Sequence, residues 1–115
     1  MNKQVKGRKF GRVRKVRKAF MRSLAVSLVE SGKIKTTEPR AKELRPYIEK
    51  MVTKAKKNDL ANRKRIIAKI GVKPTRKLFD EIGPKYKTRE GGYTRITKLP
   101  ARKSDASKMA IIEFV

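Results

Sequence analysis

Lys3, Lys6, Arg8, Lys9, Arg12, Arg14, Lys15, Arg17, Lys18 and Arg22 all precede the first acid of the chain, Glu30. Ten bases with no carboxylate among them repel one another, and such a segment settles only against a dense external source of negative charge. Nucleic-acid phosphates supply it. Each lysine or arginine that meets a phosphate releases counterions, and arginine can also grip two phosphate oxygens or stack on a base. The competing readings are a solvated face and a membrane-active basic helix. A solvated face carries mixed charges, and a membrane helix favours tryptophan, which the chain lacks. The rest of the sequence has the same sign, with 34 Lys and Arg against 10 Asp and Glu and a net charge of +24 over 115 residues.

Three further clusters can touch a polyanion. In Gly91-Gly92-Tyr93-Thr94-Arg95 two glycines allow backbone to approach ribose-phosphate closely, and Tyr93 can stack on a base. Arg89 and Arg95 add charge there; the alternative is a flexible lead into a strand with Tyr93 in the core. Lys35, Arg40, Lys42 and Arg45 flank a helix start, where the Thr36 and Thr37 hydroxyls and free N–H groups can hold one phosphate or serve as caps only. Arg102 and Lys103 sit on a loop with Ser104 and Ser107, beside an opposing Asp105. Lys54, Lys56, Lys57, Arg63, Lys64, Arg65 and Lys69 read as a solvated basic face without a specific role.

Catalysis has little to work with. The chain has no histidine and no cysteine, so a serine lacks its ordinary base and a transition metal its usual ligands. No metal, cofactor or small-molecule substrate is expected. There is no disulfide framework, no apolar run of about 18 residues for a membrane span, and no apolar stretch of a secretory signal, so a cytoplasmic setting is expected.

The elements that must position these groups follow from periodicity. One domain with a modest core is expected: hydrophobic residues make up 37% and charged residues 38%, so apolar positions must be concentrated in stripes. Residues 1–11 read as a basic extension and 12–115 as the domain. A helix is expected over Arg12–Ser31 on Val13, Val16, Phe20, Leu24 and Leu28, with Met21, Ala25 and Val29 widening the stripe and Gly32 as the stop. Lys33 to Thr36 is a short β-prone stretch. A second helix follows Thr37 to about Lys57, burying Ala41, Leu44, Ile48, Met51, Val52 and Ala55, with Pro46 inside it. Asp59 caps a third helix through Ile70, closed by Gly71. Thr75 is read as the cap of a short fourth, with Leu78, Phe79 and Ile82, ending at Gly83-Pro84. Tyr93–Leu99 and Met109–Val115 are strands, the second so apolar that a central or covered place is expected. The order is helix, strand, three helices, two strands: a two-layer α+β domain with a small mixed sheet.

Ile34-Lys35-Thr36-Thr37, Arg40-Ala41-Lys42-Glu43-Leu44-Arg45, Lys77-Leu78-Phe79, Gly91-Gly92-Tyr93-Thr94-Arg95-Ile96 and Met109-Ala110-Ile111-Ile112-Glu113 occur in that order. Together they resemble the bacterial large-subunit ribosomal protein seventeen family, and the likeness covers the chain from Gly7 to Val115. The resemblance implies a structural, non-enzymatic constituent of the large ribosomal subunit, bound to ribosomal RNA and to neighbouring ribosomal proteins, and supporting assembly and translation. It tips the Gly91–Arg95 segment towards RNA contact. One departure is visible: the family often has histidine before the arginine matching Arg17, where this chain has Val16. Its rival readings are a DNA-compacting protein and a membrane-surface domain.

Overall fold

The computed structural model describes residues 14–115. The extension with Lys3, Lys6, Arg8 and Lys9, and the expected helix start with Arg12 and Val13, lie outside the described residues. The first described helix, α1 (Arg14–Ser31), buries Met21, Ala25, Leu28 and Val29. The buried stripe is rotated from the expected one: Phe20 and Leu24 sit at its margin and Val16 is 48% exposed. The core touches α1 from Phe20 onward, so Val16 lies a turn beyond the body it was expected to face.

The chain turns at Gly32, whose N–H bonds Leu28 O at 2.7 Å, into β1 (Lys33–Thr37) and then α2 (Glu38–Lys57). All six residues expected on the inner face of α2 are buried, and the helix runs through Pro46 unbroken in its assignment. Thr37 occupies the N-cap position with extended backbone, yet its hydroxyl makes no capping bond. In α3 (Leu60–Ile70) the Asp59 carboxylate accepts from Asn62 N at 2.8 Å, a cap worth about 1 kcal/mol.

Two boundaries differ from expectation. The helix α4 (Val72–Lys77) starts at Val72, and Thr75 lies within it, its hydroxyl donating to Gly71 O at 2.6 Å. Pro74 falls in the first turn, where no N–H is needed, so the stretch read as a connection is helical. A π-helical segment, Leu78–Ile82, then leads into a last turn, α5 (Gly83–Lys85), so Gly83 is no stop. A Cβ on Gly83 would lie 3.2 Å from Leu78 O and 3.3 Å from Ala55 O. Its missing side chain is what lets α5 rest against the backbone of α2.

β2 (Thr94–Leu99) and β3 (Met109–Phe114) complete a sheet of order β1-β3-β2. The class is α+β, but the sheet is antiparallel throughout and not mixed. The reason is where β3 enters. Met109 pairs with Thr37, at the end where the chain leaves for α2, and β3 runs back towards Lys33. On the inner face Thr36, Thr94, Ala110 and Ile112 are buried against the helices. The outer face carries Lys33, Lys35, Arg95, Thr97 and Glu113 around a half-buried Ile111. So β3 is central, as its composition predicts, but covered on one face only.

Candidate nucleic-acid interface

The helices α1, α2 and α3 enclose a groove of about 800 Å³. Its floor is apolar: Met21, Met51 and Ile66 are buried, with half-buried Tyr47 and exposed Pro46 beside them. The rim is basic. Arg17, Lys18 and Arg22 come from α1, Lys50 and Lys54 from α2, and Arg65 and Lys69 from α3, with Glu43 as the one acid of the lining. Lys69 Nζ stands 5.9 Å from the centre of the Tyr47 ring. Burial raises the Tyr47 pKa above the usual phenol value, and the nearby Arg22 charge opposes this. The phenol is therefore a neutral planar surface at neutral pH.

Packing makes this groove, which is why Lys54, Arg65 and Lys69 read as a solvated face in sequence. Lys50, Lys54, Arg65 and Lys69 join the α1 bases only when the three helices are folded together. One signal was legible. Lys18 and Arg22, Lys50 and Lys54, and Arg65 and Lys69 are each four apart on a helix, and like charges at that spacing destabilise it by a few tenths of a kcal/mol.

Of the expected α1 residues, Arg14, Lys15, Lys18 and Arg22 are exposed and Arg17 is half-buried. The Gly91–Arg95 segment behaves differently. Tyr93 is 1% exposed, so it cannot stack on a base; its ring is core, 5.2 Å from that of Tyr86. Its hydroxyl accepts from Lys56 Nζ at 3.0 Å and from Thr53 Oγ1 at 3.4 Å, and donates to Arg89 O at 3.2 Å. The Lys56 hydrogen bond lowers the phenol pKa. Lys56, read as a solvated base, is thus a strut that also reaches Arg89 O. Thr94 is buried too, giving its N–H and hydroxyl to Glu49 Oε2 at 3.1 and 2.8 Å. What stays available is Arg89, Gly91 and Gly92. Both glycines have positive φ, +152° and +62°, with nothing within 4 Å of a built Cβ.

The phosphate cradle expected at the start of α2 is not assembled. Glu38 N–H is spent on Lys108 O at 2.8 Å, Pro39 has no N–H, and Thr36 is buried. The Glu38 carboxylate occupies the position instead, 3.0 Å from Lys42 and 3.8 Å from Lys98. Its pKa is lowered, first by the Lys42 hydrogen bond. Arg45 donates to Thr94 O at 3.3 Å and lies 3.6 Å from Glu49, while the Arg40 guanidinium covers the Phe20 ring at 4.7 Å. Lys35 is exposed on the outer sheet face, away from them. Arg95 makes a two-armed contact with Glu113 at 2.6 and 3.0 Å. Arg102 lies 3.3 Å from Asp105, whose carboxylate also accepts from Ser107 N and so holds the loop. Lys103 is exposed on that loop. Arg63, also read as solvated, covers the Phe79 ring at 4.7 Å and meets Asp80 at 3.5 Å.

Among the described residues no group of three or more His, Cys, Asp or Glu is placed to hold a metal ion, and no helix is long and apolar enough to cross a membrane.

A model of the family described as "Ribosomal protein L17" matches residues 20–115. The chain is 50% identical over 113 residues to a "Large ribosomal subunit protein bL17" from Nautilia profundicola, covering 94% of this chain and 93% of that one. It is 53% identical over 116 residues to the protein of the same name from Rickettsia bellii, covering 100% of this chain and 82% of that one.

Proposed function

Because the chain belongs to the L17 family of ribosomal proteins, we propose that it is a structural constituent of the large ribosomal subunit that binds large-subunit rRNA mainly through phosphate contacts. In this reading residues 1–11 are a basic extension and residues 12–115 one rRNA-binding domain. The RNA-facing set comprises the ten N-terminal bases, Lys35, Arg40, Arg89, Gly91, Gly92 and Lys103. Arg102 joins it by exchanging the exposed Asp105 carboxylate for a phosphate, which costs little because such pairs contribute about 0–1 kcal/mol. Lys42, Arg45 and Arg95 join it while keeping Glu38, Glu49 and Glu113, which are buried or half-buried. Neighbouring large-subunit proteins are its other partners, the ribosome in the cytoplasm its location, and support of assembly and translation its role. No catalytic step is assigned to it.

The observation that carries this reading is the run of ten Lys and Arg before the first acid, continued into α1. Affinity for a phosphate lattice grows with each released counterion, while position is set by RNA shape. Co-sedimentation with large subunits in low-salt lysates is the test, with mapped crosslinks to rRNA as its finer form. Recovery with the nucleoid, or leakage of anionic vesicles, would replace the reading with one of its rivals.

A further inference from the structure

We propose that the groove between α1, α2 and α3 takes an unpaired stretch of RNA, with a base against the half-buried Tyr47 and its phosphates on the rim. This rests on the rRNA-binding reading and narrows it, from any phosphate-rich surface to a strand whose bases have left the stack. The groove, at about 800 Å³, lies in the range that encloses a small organic ligand. Three helices each aim a like-charged pair into one concavity, where mutual repulsion is relieved by an anion lodged between them. The floor decides which anion. A phosphate or an acidic peptide answers the rim alone, whereas a base brings a planar π face to the half-buried Tyr47, with the buried Met21 and Met51 in the same lining. An RNA duplex keeps its bases inside and leaves that floor unfilled.

The test uses the full chain labelled with ¹³C at its methionine methyls and titrated with a single-stranded oligouridylate. A blunt RNA duplex, inorganic polyphosphate and oligoglutamate are titrated in parallel. Met21 and Met51 report the floor, and each is compared between the single strand and the other three ligands. The single strand should shift the Met21 and Met51 signals, while the other three ligands leave both unmoved. Floor signals that ignore the single strand, or that respond equally to duplex, polyphosphate or oligoglutamate, overturn the proposal. A second arm measures affinity. Replacing Arg65 and Lys69 by glutamine should lower the salt slope for the single strand by about 1.4, at about 0.7 per contact. Tyr47→Leu should weaken binding roughly 5- to 160-fold through lost stacking, and Tyr47→Phe should retain it. Wild-type affinity in the first two variants, with rRNA binding intact, sinks the groove and spares the broader function. A wild-type chain that does not bind large-subunit rRNA at all sinks both.

Discussion

The groove side and the sheet side of the molecule hold their positive charge in different states. Towards the sheet, Lys42, Arg45, Arg95, Lys98 and Arg102 each have a carboxylate within 4 Å, at 3.0, 3.6, 2.6, 3.8 and 3.3 Å respectively. Around the groove, seven bases from three helices line one concavity with a single acid, Glu43. Phosphate approaching the sheet meets bases that already have an internal partner, whereas phosphate approaching the groove relieves repulsion already present. The contrast teaches that the net charge of a basic protein says little about where an anion binds. What matters is where the few acids have been spent.

Breaking this contrast starts with the rim. Neutralising Lys18, Arg22, Lys50, Lys54 and Arg65 together should lower the salt slope of rRNA binding by about 4, with circular dichroism unchanged. Neutralising Lys42, Arg45, Arg95, Lys98 and Arg102 instead should lower it by less than about 2, since each already spends part of its charge internally. Equal slopes in the two variants would erase the distinction. Leu44→Ala removes a fully buried side chain from α2, which supports both sides, and should cost about 2–5 kcal/mol in urea unfolding. An unmoved midpoint would contradict the assigned face of α2. Glu49→Ala strands the Thr94 N–H and hydroxyl and should cost about 1–3 kcal/mol, confined to the sheet side, with groove methyl signals unshifted. The smallest effect is in acid. The pKa of Glu38 lies below its ordinary 4.5 in the fold, so its contribution is complete above that pH and is lost as pH falls through the folded value. Melting temperatures of wild type and Glu38→Gln should therefore differ at pH 6 and converge near pH 3.

Much of this was legible beforehand because it depends on local pattern. The inner face of α2 obeys helical spacing, Asp59 sits where a cap belongs, and the composition of β3 marks it as central. Other features depend on what lies across the gap. Tyr93 looks identical in sequence whether it faces RNA or Tyr86; only Lys56 and Thr53, some forty residues earlier, settle it inward. The stripe on α1 runs through Val16 by periodicity, but the body against which it must pack ends at Phe20. Thr75 resembles a cap because proline precedes it, and the first turn of α4 tolerates that proline. The direction of β1 relative to β3 has no local signal at all, and the groove is a property of three helices together.

Gly83 has a consequence for what the domain can tolerate. A methyl group there presses on the carbonyl oxygens of Leu78 and Ala55, which are held by helices and cannot swing aside. The displaced turn carries Tyr86 with it, and the Tyr86 hydroxyl is the donor that fastens Val115 O just past the end of β3. One added carbon would thus act at a distance, loosening the latch between the helical layer and the last strand without touching a single charged residue.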